Sequence, residues 1–317
     1  MRLKNAFKIL ISNSGVVYKA IVLRLLTISV IALISYFVVS PLLKPVFTCD
    51  DFQQGWMAIV ESLRTLFKDF VSLADTSASA KALKESFDQL INHFITEKDT
   101  LIKAFIGAGL FIFLVNLVER VGNYAIAFLY DGYMSALTKF SIVATLLANL
   151  GKAFLYSIIT VPIVMIVDSI VFALAGLIVF YGLQVISIFA IILAVIFVIL
   201  GLSFKLTLIS RFLPNIIVAK KSIGRAFIDT FTNRKHLNKL LGSYVFMLMI
   251  SFYLNVSVAA FTLGVGLFVS LPLCGNMNIL IALVDYYNEH GKKYYTSSDN
   301  VVTPKELREN ADLLKYM

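Results

Sequence analysis

Six stretches of this chain are each apolar enough, over enough residues, to cross a lipid bilayer: 20–43, 101–118, 154–180, 183–209, 240–262 and 263–284. The hydrocarbon core is about 30 Å thick and an α-helix rises about 1.5 Å per residue, so about 20 apolar residues are needed to span it. Lipid offers no hydrogen-bond partners, so each crossing segment must satisfy its own backbone, and a helix does so. The fold expected is therefore all-α: a polytopic membrane protein of about six transmembrane helices in three hairpins, with interfacial amphipathic helices. Composition agrees. Of 317 residues, 59% are hydrophobic and 15% charged, against about 45–50% and 25% in soluble domains.

The junctions set the pairing. Spans 154–180 and 183–209 are separated only by Tyr181-Gly182, and spans 240–262 and 263–284 meet near Gly264 and Gly266. Both junctions can only be hairpins. The second span is short at its start, where Lys103 has to snorkel to the interface. At the N-terminus, Arg2, Lys4 and Lys8 before an apolar run imitate a secretory signal. The run 20–43 exceeds an h-region of about 7–15 residues, so it reads as a retained first span.

Orientation follows from the basic residues. Residues 1–19 carry Arg2, Lys4, Lys8 and Lys19; segment 210–239 carries Arg211, Lys220, Lys221, Arg225, Arg234, Lys235 and Lys239 against the single acid Asp229; the tail 285–317 carries five more bases. Cytoplasmic loops collect Lys and Arg. This places residues 1–19, the segment 119–153, the segment 210–239 and the tail in the cytoplasm of a bacterial plasma membrane. The polar insert 44–100, in which acids outnumber bases, faces outward. Net charge is +9, which the positive-inside bias accounts for; no nucleic-acid-binding motif accompanies it.

The insert carries helical periodicity in Trp56, Ile59, Leu63, Leu66, Phe67 and Phe70, and again in Leu83, Phe87, Leu90, Ile91 and Phe94. Residues 74–79 between them read as a turn supplying an N-cap. An outward helical hairpin is expected, packing on the outer helix ends or capping a ligand. Inside, a repeat is visible: Ala6-Phe7 then Ser12-Asn13 before the first span, and Ala226-Phe227 then Thr232-Asn233 before the fifth. A looser version, Ile142, Leu146, Leu147 and Leu150 with Asn149, precedes the third. Each unit reads as an interfacial helix followed by two spans.

The stretches Phe212-Leu213-Pro214-Asn215-Ile216-Ile217, Ser222-Ile223-Gly224-Arg225-Ala226-Phe227 and Phe268–Pro272, with Tyr286-Tyr287, resemble bacterial six-span membrane families related to the membrane domain fused to some glycerophosphodiester phosphodiesterases. The likeness covers about residues 141–295. It implies a membrane fold and location; Lys220 and Lys221 stand near the place where those families often carry an acid, and no catalytic residue is implied.

Asp168 is the outstanding polar position, in the middle of the third span. A mid-bilayer Asp costs about 2.5–3.5 kcal/mol on translocon scales and is expected to face the bundle interior. Ser251, Asn255, Asn276 and Asn278 are uncharged partners at similar depth, so a protonated Asp168 donating to Asn255 or Asn276 is the simplest arrangement. Two readings stand: interhelical hydrogen-bond glue, or a proton- or cation-coupled pathway in a transporter or channel. Arg24 and Lys205, near inner span ends, read as snorkelling anchors. Lys220, Lys221, Arg225, Arg234 and Lys235 are the candidate contacts for anionic lipid headgroups, or serve topology alone. Gly107-Ala108-Gly109 and Gly264-Val265-Gly266 read as sites of close helix approach or as hinges.

No motif for enzymatic chemistry is present: no Walker sequence, no Gly-x-Ser-x-Gly, no His-Glu-x-x-His. His93, His236 and His290 are scattered singly, so metal-ligand spacing is absent. Cys49 and Cys274 lie on different segments, which argues against a bridge. Thr303-Pro304-Lys305-Glu306 punctuates the start of a short soluble helix. The expectation is a non-catalytic integral membrane protein without cofactor, lipid-interacting or accessory to a membrane complex, with a protein partner or second copy left open.

Overall fold

A computed structural model describes residues 2–96, 98–138, 140–232 and 237–303. The chain is an all-α polytopic membrane protein: six helices are long and apolar enough to span a bilayer, and only seven described residues are in strands. The elements are α1 (Arg2–Ser12), α2 (Ser14–Ile34), a π-helical turn (Ser35–Val39), α3 (Ser40–Phe47), α4 (Asp50–Val71), α5 (Ser77–Thr96), α6 (Lys98–Ala136), α7 (Ile142–Ile186), α8 (Phe189–Ile209), α9 (Phe212–Ile217), α10 (Ile223–Phe231), α11 (Leu237–Thr262), α12 (Leu267–Glu289), β1 (Tyr294–Ser297) and β2 (Asn300–Val302).

Two helices exceed the expectation. α6 has 39 residues and α7 has 45, about 58 and 68 Å at 1.5 Å per residue, roughly twice the hydrocarbon thickness. Segment 119–153, read from sequence as separate from its flanking spans, is thus divided: its first part continues α6 to Ala136 and its last part opens α7. Glu119, Arg120 and Asn123 end the apolar run but not the helix, because nothing in Val121–Met134 breaks it and neighbouring elements bury it on nearly every side. The amphipathic stretch Ile142–Leu150 is likewise the start of α7, not a helix of its own.

The hairpin between the third and fourth spans also moves. The turn falls at Ser187-Ile188, with Ser187 at φ 53°, rather than at Tyr181-Gly182. Gly182 stays helical; a Cβ there would stand 2.7 Å from the Ala190 Cβ, so the glycine serves close approach of two helices. Gly264, by contrast, adopts φ +87° and forms the turn between α11 and α12 with open space around it.

The chain forms two compact units. One comprises Met1–Ser29, Asn116–Ile163 and Ser203–Met317; the other comprises Val30–Val115 and Val164–Leu202. In the second, α4 and α5 pair as the expected hairpin, and it docks on the α7–α8 turn. Ile59, Leu66, Ala80 and Leu83 bury against Leu183 and Ile188. The Thr76 and Ser187 hydroxyls meet at 2.6 Å, and Ser187 Oγ donates to the Thr76 carbonyl at 3.0 Å. Asp75 accepts from the Ser77 N–H at 2.9 Å and from its hydroxyl, which holds the Asp75 carboxyl below the usual range and organises the start of α5. Gly107 is closely approached by Leu43, whereas Gly109 has nothing within 4 Å.

In the first unit, α1 is amphipathic as expected. Asn5, Ala6, Ile9 and Leu10 face inward, and α1 packs on α12 and on β1. Ala226 in α10 is fully buried, as is Ala6 in α1, so the two Ala-Phe motifs put their small residue at the same kind of contact. The core joins these helices to the C-terminal halves of α6 and α12 and to α9. The β1–β2 hairpin was not expected. Tyr294 pairs with Val302 and Tyr295 with Val301. β-formers flanking Ser298-Asp299 were the available signal. Residues 304–306, read as a helix start, lie outside the described residues.

Candidate functional site: the charged layer of the first unit

The C-terminal turns of α12 gather several charged groups of the first unit. The Asp285 side chain, almost wholly buried, pairs with Arg2 of α1. Tyr287 donates its hydroxyl to Asp131 of α6 at 2.6 Å. Glu289 receives both its hydrogen bonds from Arg211, just ahead of α9. Asn288 accepts from the Tyr294 hydroxyl at 3.2 Å, and that hydroxyl accepts from Asn5 Nδ2 at 2.7 Å. Burial raises the Tyr294 hydroxyl above its ordinary value, and its bond from Asn5 opposes this.

Beside these pairs is an open polar cavity of about 450 Å³, lined by Arg211, Asn215, Lys221, Asp229, Thr232, Tyr286, Glu289 and His290. Lys221 reaches Asp229 of α10 at 2.8 Å. The His290 ring stacks on Tyr286 at 3.9 Å between centroids. Asn215, almost fully buried, donates to the Ala226 carbonyl at 3.3 Å and so ties α9 to α10. Two cations and two carboxylates neutralise each other around the cavity.

A second charged cluster lies where the apolar run of α6 ends. The Arg24 guanidinium of α2 donates to Asn123 and lies 3.5 Å from Glu119. Glu119 and Asn123 are four residues apart and therefore share a helix face. Arg120 and Lys205 are the other cations acting on the Glu119 carboxylate. Arg24, expected to snorkel as a lone anchor, is engaged inside the unit, its side chain only 13% exposed. It rests against Gly275, where a Cβ would stand 3.2 Å from the guanidinium.

The expected intramembrane residues fall as follows. Asp168 belongs to the second unit, and Ser251, Asn255 and Asn276 to the first. Asn255 joins α11 to α12: its Oδ1 accepts from Ser270 at 2.6 Å, and its Nδ2 approaches the Cys274 sulfur at 3.9 Å. Ser251 back-bonds to the Met247 carbonyl of its own helix at 2.8 Å. Asn276 is fully buried, and neither its amide nitrogen nor its oxygen has a partner among the described residues. Of the basic set, Lys220 and Arg225 are exposed, Lys221 is paired, and Arg234 and Lys235 lie outside the described residues. The sequence reading passed over Glu119, Arg120 and Asn123, whose spacing on one helix just past an apolar run was the signal. Among the described residues no group of three His, Cys, Asp or Glu side chains could hold a metal ion.

Comparison with protein-family models, with curated proteins and with solved structures finds no match for this chain.

Proposed function

We propose that this multi-pass protein is a non-catalytic component of a bacterial cytoplasmic membrane whose inner-side helices engage anionic lipid headgroups. The observation that carries the reading is the surface of α1 and α10. Each buries one face in the first unit while exposing apolar residues beside bases. On α1 these are Phe7 and Ile11 with Lys4 and Lys8; on α10 they are Ile228 and Phe231 with Arg225 and the preceding Lys220. A helix that is held by protein on one side and shows both apolar and basic residues on the other suits the headgroup plane. Basic residues near an anionic leaflet each contribute about 1 kcal/mol.

The test is thermal melting in nanodiscs of phosphatidylcholine with and without phosphatidylglycerol. The anionic lipid should stabilise the wild-type protein, and the Lys220→Glu/Arg225→Glu variant should lose most of that gain. Equal stabilisation of both proteins would overturn the reading. Orientation is tested separately: a maleimide that cannot cross membranes should label Ser72→Cys in intact cells, and Arg225→Cys only after permeabilisation.

A further inference from the structure

Arg120 is 8% exposed, and its Nε is buried with no hydrogen-bond partner among the described residues. A buried carboxylate or amine can neutralise itself by taking up or losing a proton; a guanidinium cannot. Its charge therefore needs an anion. The carboxylate it acts on, Glu119, is already paired with Arg24. Two guanidinium groups thus share one carboxylate. Arg24 Nε is itself buried without a partner. One residue beyond Gly275, on which Arg24 rests, Asn276 is fully buried with donor and acceptor both unused.

Depth narrows the ligand. Arg120 follows the apolar run 101–118 by two residues, and Arg24 lies about one helical turn inside the run 20–43. Both belong to the boundary between hydrocarbon and headgroups. Guanidinium groups present planar forks of N–H donors that match oxyanions with two or more free oxygens, which favours a phosphate group over a halide.

We propose that Arg120, together with Arg24, which shares Glu119 with it, forms an oxyanion site that takes a phosphate group, supplied by a phospholipid headgroup or by free phosphate. The proposal deepens the lipid-interacting reading above, and the two fail separately: Lys220→Glu/Arg225→Glu alters the exposed surface, Arg120→Gln the buried site.

The experiment uses the full chain purified in detergent and phosphate-free buffer, with phosphorus analysis and native mass spectrometry. The wild-type protein should retain one phosphate-bearing molecule per chain, and Arg120→Gln should release it. Affinity for added short-chain phosphatidylglycerol should fall about tenfold or more in Arg120→Gln and less in Arg120→Lys. Diacylglycerol with the same acyl chains should not compete. Stabilisation of the wild-type protein by inorganic phosphate, absent in Arg120→Gln, identifies free phosphate as the occupant; stabilisation by the phospholipid alone identifies the headgroup. Folded wild-type protein that carries no phosphate and responds to neither probe overturns the proposal, even if Arg120→Gln does not fold. So does an unchanged response in Arg120→Gln.

Discussion

The hydroxyl of Tyr287 donates to Asp131 Oδ1 at 2.6 Å, tying the last turns of the sixth span to the far end of the 39-residue helix that forms the second. Both side chains belong to a layer in which α12 engages α1, α6, β1 and the segment before α9. Tyr287→Phe keeps the ring in its nearly buried place and removes only that bond. The loss should be about 1.5–3 kcal/mol, the range for hydrogen bonds to charged groups, read by denaturation in mixed micelles.

Arg2 and Asp285 make the same layer dependent on the first helix. Arg2→Gln leaves a carboxylate buried without its counter-charge, which should cost about 3 kcal/mol. Asp285→Asn in the same chain should recover most of that loss, because no unpaired charge then remains. A double-mutant cycle on thermal melting checks it; independent, additive losses would show that the two side chains do not act as a pair.

The Arg24 guanidinium limits how large a side chain position 275 can hold. Alanine there would place its Cβ 3.2 Å from a guanidinium nitrogen, at the end of a flexible side chain that can yield slightly. Gly275→Ala should therefore be tolerated within about 1 kcal/mol, and Gly275→Leu should cost about 1–3 kcal/mol. Similar losses for the two would place the constraint in the backbone.

Gly201 and Gly109 should respond in opposite directions. A Cβ at Gly201 would meet Val171 Cγ2 at 2.5 Å, whereas Gly109 has nothing within 4 Å. Gly201→Ala should lower the melting temperature through overpacking. Gly109→Ala should raise it slightly, by up to about 1 kcal/mol of stability, since alanine is the better helix former.

Leu83 is wholly buried where the α4–α5 hairpin meets the α7–α8 turn. Leu83→Ala should cost about 2–5 kcal/mol at that contact. Limited proteolysis should then cut the loop 72–76 faster than in the wild-type protein, while melting of α1 and α12, followed by labels in the first unit, should change little.

The six spans, the amphipathic α1 and α10 and the insert hairpin were legible in the sequence because hydropathy and its 3.6-residue period are local quantities. The helix ends were less so. The end of the apolar run 101–118 read as the end of a span, but a membrane boundary ends an apolar run without ending a helix, and Gly182 read as a turn although it serves packing against Ala190. The β1–β2 hairpin escaped for want of length: two short strands carry little periodicity.

What the sequence by itself determined is the class of protein, the number of its spans and the sign of charge on each connecting segment, since lipid imposes those demands on each segment separately. Which charges meet was decided only by the tertiary structure. Arg2 finds Asp285, Arg24 finds Glu119 and Asn123, Arg211 finds Glu289, and the Arg120 Nε and the Asn276 amide are left without hydrogen-bond partners among the described residues. Such pairings join positions up to hundreds of residues apart, and no periodicity along the chain encodes them. They follow from how helices rotate and slide to fill space, and burial then turns each pairing, or each missing partner, into free energy.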